Sequence, residues 1–206
     1  MLGARKGKFV LKIVFIGLLG ASLCAGSVHK YGGNFDLPIP SNPSETKGSM
    51  DDAIIVIPNH YVISDIDVAV TITHSNVFDL QLYLQSPWGT KICLNMYDPY
   101  KDFFKGENYT QTVFDDEAAV PIKQAEAPFT GQFKPMQPLN IFNGQDVFGQ
   151  WRLQVYDAYF ADRGTLNNFE LIVTNTPELS TFVILFFGSG WIFLRSRHKT
   201  TSFVKK

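Results

Sequence analysis

The sequence predicts an all-β protein, a β-sandwich with an export segment before it and one apolar helix after it. Three observations carry that expectation. Apolar residues alternate with polar ones in several runs of the middle. Pro- and Gly-containing turns separate those runs, and no part of the middle sustains a helical period. Period-two alternation buries one face of each strand and leaves the other toward solvent, and many short strands with turns between them pack as two sheets.

In chain order, Arg5, Lys6, Lys8 and Lys12 precede an apolar run from Ile13 to Leu23, and the small residues Ala25, Gly26 and Ser27 follow. This is the pattern of a secretory signal peptide, placed at 1–26, and the apolar run is short for a membrane span. Cys24 also admits a lipoprotein reading, although Leu23 stands where such signals want a small residue. Residues 27–50 are rich in Gly, Pro, Ser and Asn and read as a flexible linker. A sandwich domain is expected over 51–175.

Within that domain, Ile66, Val68, Val70 and Ile72 form one alternating set, and Phe78, Leu80, Leu82 and Leu84 a second. Trp151, Leu153 and Val155 form a third, and Phe169, Leu171 and Val173 a fourth. Ser86-Pro87-Trp88-Gly89 and Phe142-Asn143-Gly144 supply turn chemistry.

Composition bounds the function. A chain of 206 residues with 45% hydrophobic and 14% aromatic content can bury a real core, but it leaves no room for a large catalytic domain beside a second module. A net charge of -1 speaks against a nucleic-acid partner. The two cysteines are Cys24 in the leader and Cys93, and Cys93 sits among apolar neighbours as a buried small hydrophobe. The four histidines stand in no nucleophile or metalloprotease motif, so no enzyme is expected. His74, ending a strand, is read as a packing or hydrogen-bonding residue.

Asp115-Asp116-Glu117, directly after a strand-like run, place three carboxylates in sequence. Calcium takes six to eight oxygens and would suit loops gathered at one end of a sandwich. The alternative is that Asp115 and Asp116 accept backbone N–H bonds in turns, with Glu117 solvated. Asp157 and Asp162, on either side of a Tyr-Phe loop, form a second acidic group. Tyr97, Tyr100, Phe103, Phe104 and Tyr109 crowd one loop, as a contact surface or as a loop folded on its own side chains.

Several segments in fixed order resemble the P domain (P/Homo B domain) that follows the catalytic domain of kexin- and subtilisin-like proteases. They are the run ending in His74, then Phe78-Asp79-Leu80, Ser86-Pro87-Trp88-Gly89-Thr90, Val113 to Ala118 with Ala127 to Gly131, Phe142-Asn143-Gly144, Gly149-Gln150-Trp151 and Gly164 to Phe169. The resemblance covers roughly residues 51–174. It implies a jelly-roll, galactose-binding-like sandwich, and a non-catalytic role beside a serine endopeptidase in proteolysis. It also implies calcium held by Asp79, by Glu107 (where the family often has Asp), and by Asp115, Asp116 and Glu117. A subtilase or a surface polysaccharide are the partners it suggests.

The last segment, 176–206, resembles a PEP-CTERM sorting signal of Gram-negative bacteria. Pro177-Glu178 leads into an apolar helix at 179–194, followed by Arg195 and Arg197. Leu179 stands where that family has a second proline. Sixteen residues make a helix of about 24 Å, short of the ~30 Å hydrocarbon core. The trailing cations would stay on the cytoplasmic side. The resemblance implies a single-pass membrane stage, processing by an exosortase, and delivery to the cell surface, outer membrane or extracellular matrix. A plain anchor is the alternative.

Overall fold

The computed structural model describes residues 26–97, 100 and 106–176. The signal peptide, the tail helix at 179–194 and the sorting residues Pro177, Glu178, Arg195 and Arg197 lie outside these residues. The described part is all-β: two sheets packed as a sandwich, with short 3-10 turns and no α-helix.

The first sheet is built on the pairing of β4 (Ile63–His74) with β10 (Gly164–Asn175), antiparallel along their whole lengths. β4 is rich in Val, Ile and Thr, which favour a pleated, half-buried surface. Its alternation is realised: Ile66, Val68, Val70 and Ile72 are buried, and so are Leu166, Phe169, Leu171 and Val173 of β10. β7 (Tyr109–Phe114) lies antiparallel on the other side of β4, and β8 (Phe129–Phe133) lies parallel to β7 at the edge. A parallel neighbour needs a crossover of a dozen or more residues, here 115–128.

Residues 27–50 correct the expectation of a flexible linker. They contain β1 (Val28–Ile39), paired antiparallel with β10 from Val28↔Thr174 to Ile39↔Gly164, with a bulge between Asn34 and Leu37. Along β1 only Ile39 is fully buried. Tyr31, Phe35 and Leu37 pack on the core as a partly buried stripe, so this edge strand is ordered by that packing together with its ladder bonds to β10.

The second sheet centres on β9 (Gly149–Asp157) and β5 (Leu80–Gln85), antiparallel to each other. β6 (Lys91–Asn95) flanks β5, while β2 (Gly48–Ser49) and β3 (Ala53–Ile57) share the other side of β9. Between the sheets lie Leu80, Leu82, Leu84, Leu153, Val155 and the fully buried Trp151, whose indole N–H donates to the Val147 carbonyl at 2.8 Å. Under β7 and β8, Tyr109 packs on Phe129 with ring centroids 4.9 Å apart, and Phe78 meets Phe129 edge-on at 5.9 Å. Tyr109 therefore belongs to the core rather than to an aromatic loop, and Asn95 donates to its hydroxyl at 2.7 Å. Burial pushes that phenol up. Tyr100 is exposed, and Phe103 and Phe104 lie outside the described residues. Cys93 is buried as a small hydrophobe, and burial raises its thiol.

The link from β1 to β2 carries the chain from one sheet to the other. Arg163 holds it: its guanidinium donates to the carbonyls of Pro43 and Glu45 at 2.6 and 2.7 Å and to those of Asn42 and Pro40 at 3.3 and 3.4 Å. A planar fork with five N–H donors suits several carbonyls at once.

Candidate functional site

Among the described residues, three groups of side chains bear on function. The first lies where β4 ends beside the end of β9. His74 and Asp157 have no exposed side-chain surface, and His74 Nε2 stands 3.2 Å from Asp157 Oδ2. The Asn76 backbone N–H donates to His74 Nδ1 at 3.1 Å. A ring nitrogen that accepts carries no proton, so this pattern assigns the neutral Nε2–H tautomer, donating to Asp157. The other Asp157 oxygen accepts from the Tyr159 N–H at 3.1 Å. Asp79, fully buried, takes the adjoining position, and its carbonyl accepts from the Ala158 N–H at 2.9 Å. Gly164 lies opposite His74 in the ladder, and a Cβ there would fall 2.4 Å from His74 Cδ2. Glycine is what lets the ring seal against β10.

Asp162 does not join Asp157. It accepts from the Ser75 hydroxyl at 2.5 Å at an exposed position, while Asp157 points its bonds into the core. The two acids expected as one group therefore serve two separate contacts.

The second place is an acidic ridge at the far end of β7. Asp65 and Asp67 on β4 neighbour Asp115, Asp116 and Glu117, since Val68 pairs with Phe114. Asp115 Oδ1 accepts from the Glu117 N–H at 2.7 Å. Asp116 accepts from the Leu139 and Asn140 N–H groups, each at 2.9 Å, and so caps the 3-10 turn Leu139–Phe142. Asp115 and Asp116 thus act as turn acceptors, the alternative weighed for them. Burial, then repulsion from Asp115, Asp65, Glu117 and Asp116, pushes Asp67 up to about 7. A hydrogen bond with Asp115, then burial, raises Glu117.

The residues read from the sequence as one calcium ligand set do not stand together. Asp79 and Glu107 lie at the start of β7, and Asp115, Asp116 and Glu117 at its end. Six strand residues at ~3.3 Å each put about 20 Å between the two groups, too far for one ion. Among the described residues, no three His, Cys, Asp or Glu side chains are grouped to hold a metal ion.

The third place carries no site expectation from the sequence. At the opposite end of the β5–β9 pair, the turn after β5 and the start of β9 enclose an open cleft of about 440 Å³. Trp88 and Phe148 line it, 64% and 43% exposed. Asp146 organises both: its carbonyl accepts from the Trp88 indole at 2.9 Å, and its carboxylate accepts from the Phe148 N–H at 3.0 Å. The same carboxylate holds His60 Nδ1 at 2.8 Å, and the His60 ring stacks on Phe148 with centroids 4.0 Å apart. Gly149, at φ +119, allows the close approach that shapes the cleft, since a Cβ there would lie 2.7 Å from Pro87. The sequence signal was the unusual Trp inside the Pro-Gly turn at 86–89.

Comparison with curated protein sequences gives no match. The chain is similar to the serine protease of Aeromonas sobria in its crystal structure, at 17% identity and a TM-score of 0.44, over 73% of this chain and 26% of that one. It is likewise similar to a chain in the crystal structure of Aeromonas sobria serine protease with the chaperone ORF2, at 18% identity and a TM-score of 0.42, over 73% and 27%. The chain spans about a quarter of the length of these structures. The family model of the proprotein convertase P-domain matches residues 63–173, and no catalytic domain is identified. That match covers more than half of the sequence, so the chain belongs to the proprotein convertase P-domain family, a non-catalytic domain of proteases.

Proposed function

We propose that this protein is an exported, cell-surface-sorted P-domain protein that works as a non-catalytic binding or structural module on a jelly-roll framework. One observation carries the non-catalytic reading. His74, the histidine paired with a buried carboxylate, has both ring nitrogens engaged and no surface open to a substrate. A general base must be within hydrogen-bond reach of the proton it removes, and this one is sealed behind Gly164. Export rests on the leader at 1–26, and surface sorting on the tail with Pro177, Glu178, Arg195 and Arg197. On this reading the partners are a membrane during passage and an exosortase that removes the tail. The decisive experiment follows the mature protein in cells with and without residues 177–206. The full chain is expected at the surface or in the matrix, and the truncated one in the periplasm or medium. Identical distribution of both would refute sorting by the tail. Peptide hydrolysis by purified protein with a titratable serine would refute the non-catalytic reading.

Family membership favours a second reading, support of a separately encoded subtilisin-like protease through packing against its catalytic domain. Co-purification with such a protease, and a higher melting temperature for it in the presence of this chain, are the expected signs. Unchanged protease melting would reject this reading.

A further inference from the structure

We propose that the Trp88–Phe148 cleft binds the ring of a neutral sugar, as one unit of an oligosaccharide. The inference concerns a different part of the molecule from the sealed histidine and holds whether the chain acts alone or beside a protease. Its volume, about 440 Å³, falls within the ~300–1,000 Å³ usual for small-molecule sites. Two large aromatic rings stand at its wall, and neither is free to collapse onto the surface. A hydrogen bond from its indole N–H to Asp146 fixes Trp88, and Phe148 is held by the stacked His60 and by its own N–H bond to Asp146. Rings pre-oriented in this way lose little freedom when a ligand arrives.

The polar groups of the cleft narrow the ligand class. Arg152 spends one guanidinium nitrogen on Asp52 at 3.2 Å and another on the Gln150 side-chain oxygen Oε1 at 3.1 Å, so its charge is compensated. That leaves the Gln150 amide N–H groups, together with the Gln85 amide, as neutral donors and acceptors around an aromatic wall. An uncharged ligand with an apolar face and a rim of hydroxyls matches this set, and a sugar ring has that form. A peptide adding itself as a strand does not match. β5 is already paired with β6 and β9, and β9 with β5 and β3, so the cleft presents no open strand edge.

The test uses the full chain with calorimetry and tryptophan fluorescence. The probes are cellopentaose, chitopentaose, a β-linked galacto-oligosaccharide, an acidic alginate oligomer and a proline-rich decapeptide. At least one neutral oligosaccharide is expected to bind and to change the fluorescence of Trp88. Trp88→Ala and Gln150→Ala should each weaken that binding about tenfold or more, with unfolding midpoints unchanged because both positions are at the surface. Tyr100→Ala, away from the cleft, should leave affinity unaltered. Binding of no neutral sugar overturns the proposal, as does affinity that survives Trp88→Ala. Preference for the alginate oligomer or for the decapeptide at this cleft overturns it as well.

Discussion

The two ends of the β5–β9 pair use polar side chains in opposite ways. Where Leu80 faces Asp157, the acid and His74 are fully buried and their side-chain bonds close inward, onto Asn76, Tyr159 and each other. Where Gln85 faces Arg152, the anchoring acid Asp146 lies at the surface and holds two aromatic rings outward. The same strand pair thus ends in a structural lock on one side and an open, pre-set surface on the other. A buried histidine beside a carboxylate is therefore no mark of reactivity here, since both side chains are closed to solvent.

The contrast can be broken most forcefully at the lock. Asp157→Ala should remove the acceptor of the His74 Nε2–H and of the Tyr159 N–H at once, leaving a buried donor unpaired. A loss of about 3 kcal/mol is expected from urea unfolding. A loss below about 1 kcal/mol would mean that the pair is not the lock described. Gly164→Ala should act in the same direction by driving a Cβ into His74.

Next in size is Asp116→Ala, which frees two N–H groups of the 3-10 turn at Leu139. Stability should fall by about 1–2 kcal/mol, as for a lost cap. Added calcium should leave the melting temperature of the native chain unmoved. A rise that follows mass action in free calcium would instead place an ion on the acidic ridge.

Asp67→Asn tests the ridge through pH. The folded-state carboxyl titrates near 7, above its unfolded value of about 3.9. Its contribution is thus fully present below pH 4 and is lost as pH rises through 7. The asparagine variant should match the native chain near pH 4 and exceed it at pH 8. The gain is about 1 kcal/mol once solvent screening at this half-exposed site is allowed for. Equal stability of the two at pH 8 would show that the ridge carries no repulsion. Smallest is Trp88→Ala, whose effect on unfolding should stay within about 0.5 kcal/mol because the ring is mostly exposed.

How much of this could be read from the sequence depended on whether the signal was local. The core positions of β4, β5, β9 and β10 were legible because each strand carries its own period-two pattern. β1 was not, since Gly32-Gly33 and Pro38 read as breakers and its order comes from packing on the core and from β10, far away in the chain. β8 is short, contains Gly131 and pairs in parallel with β7, so it gave little pattern either. The acids were easy to see but their grouping was not. Whether Glu107 and Asp115 share an end depends on the direction of β7 between them. The cleft was hidden for the same reason: Trp88 and Phe148 meet only after β5 and β9 pair.

The Arg163 clamp has a consequence for how this protein can be trimmed. The family match begins at residue 63, after β1 and the clamped link. Cutting there would strip the cover from β10 and expose a twelve-residue strand margin able to template pairing with other molecules. Weakening the clamp, as with Arg163→Ala, should send the intact chain the same way, with β1 peeling off first and self-association following.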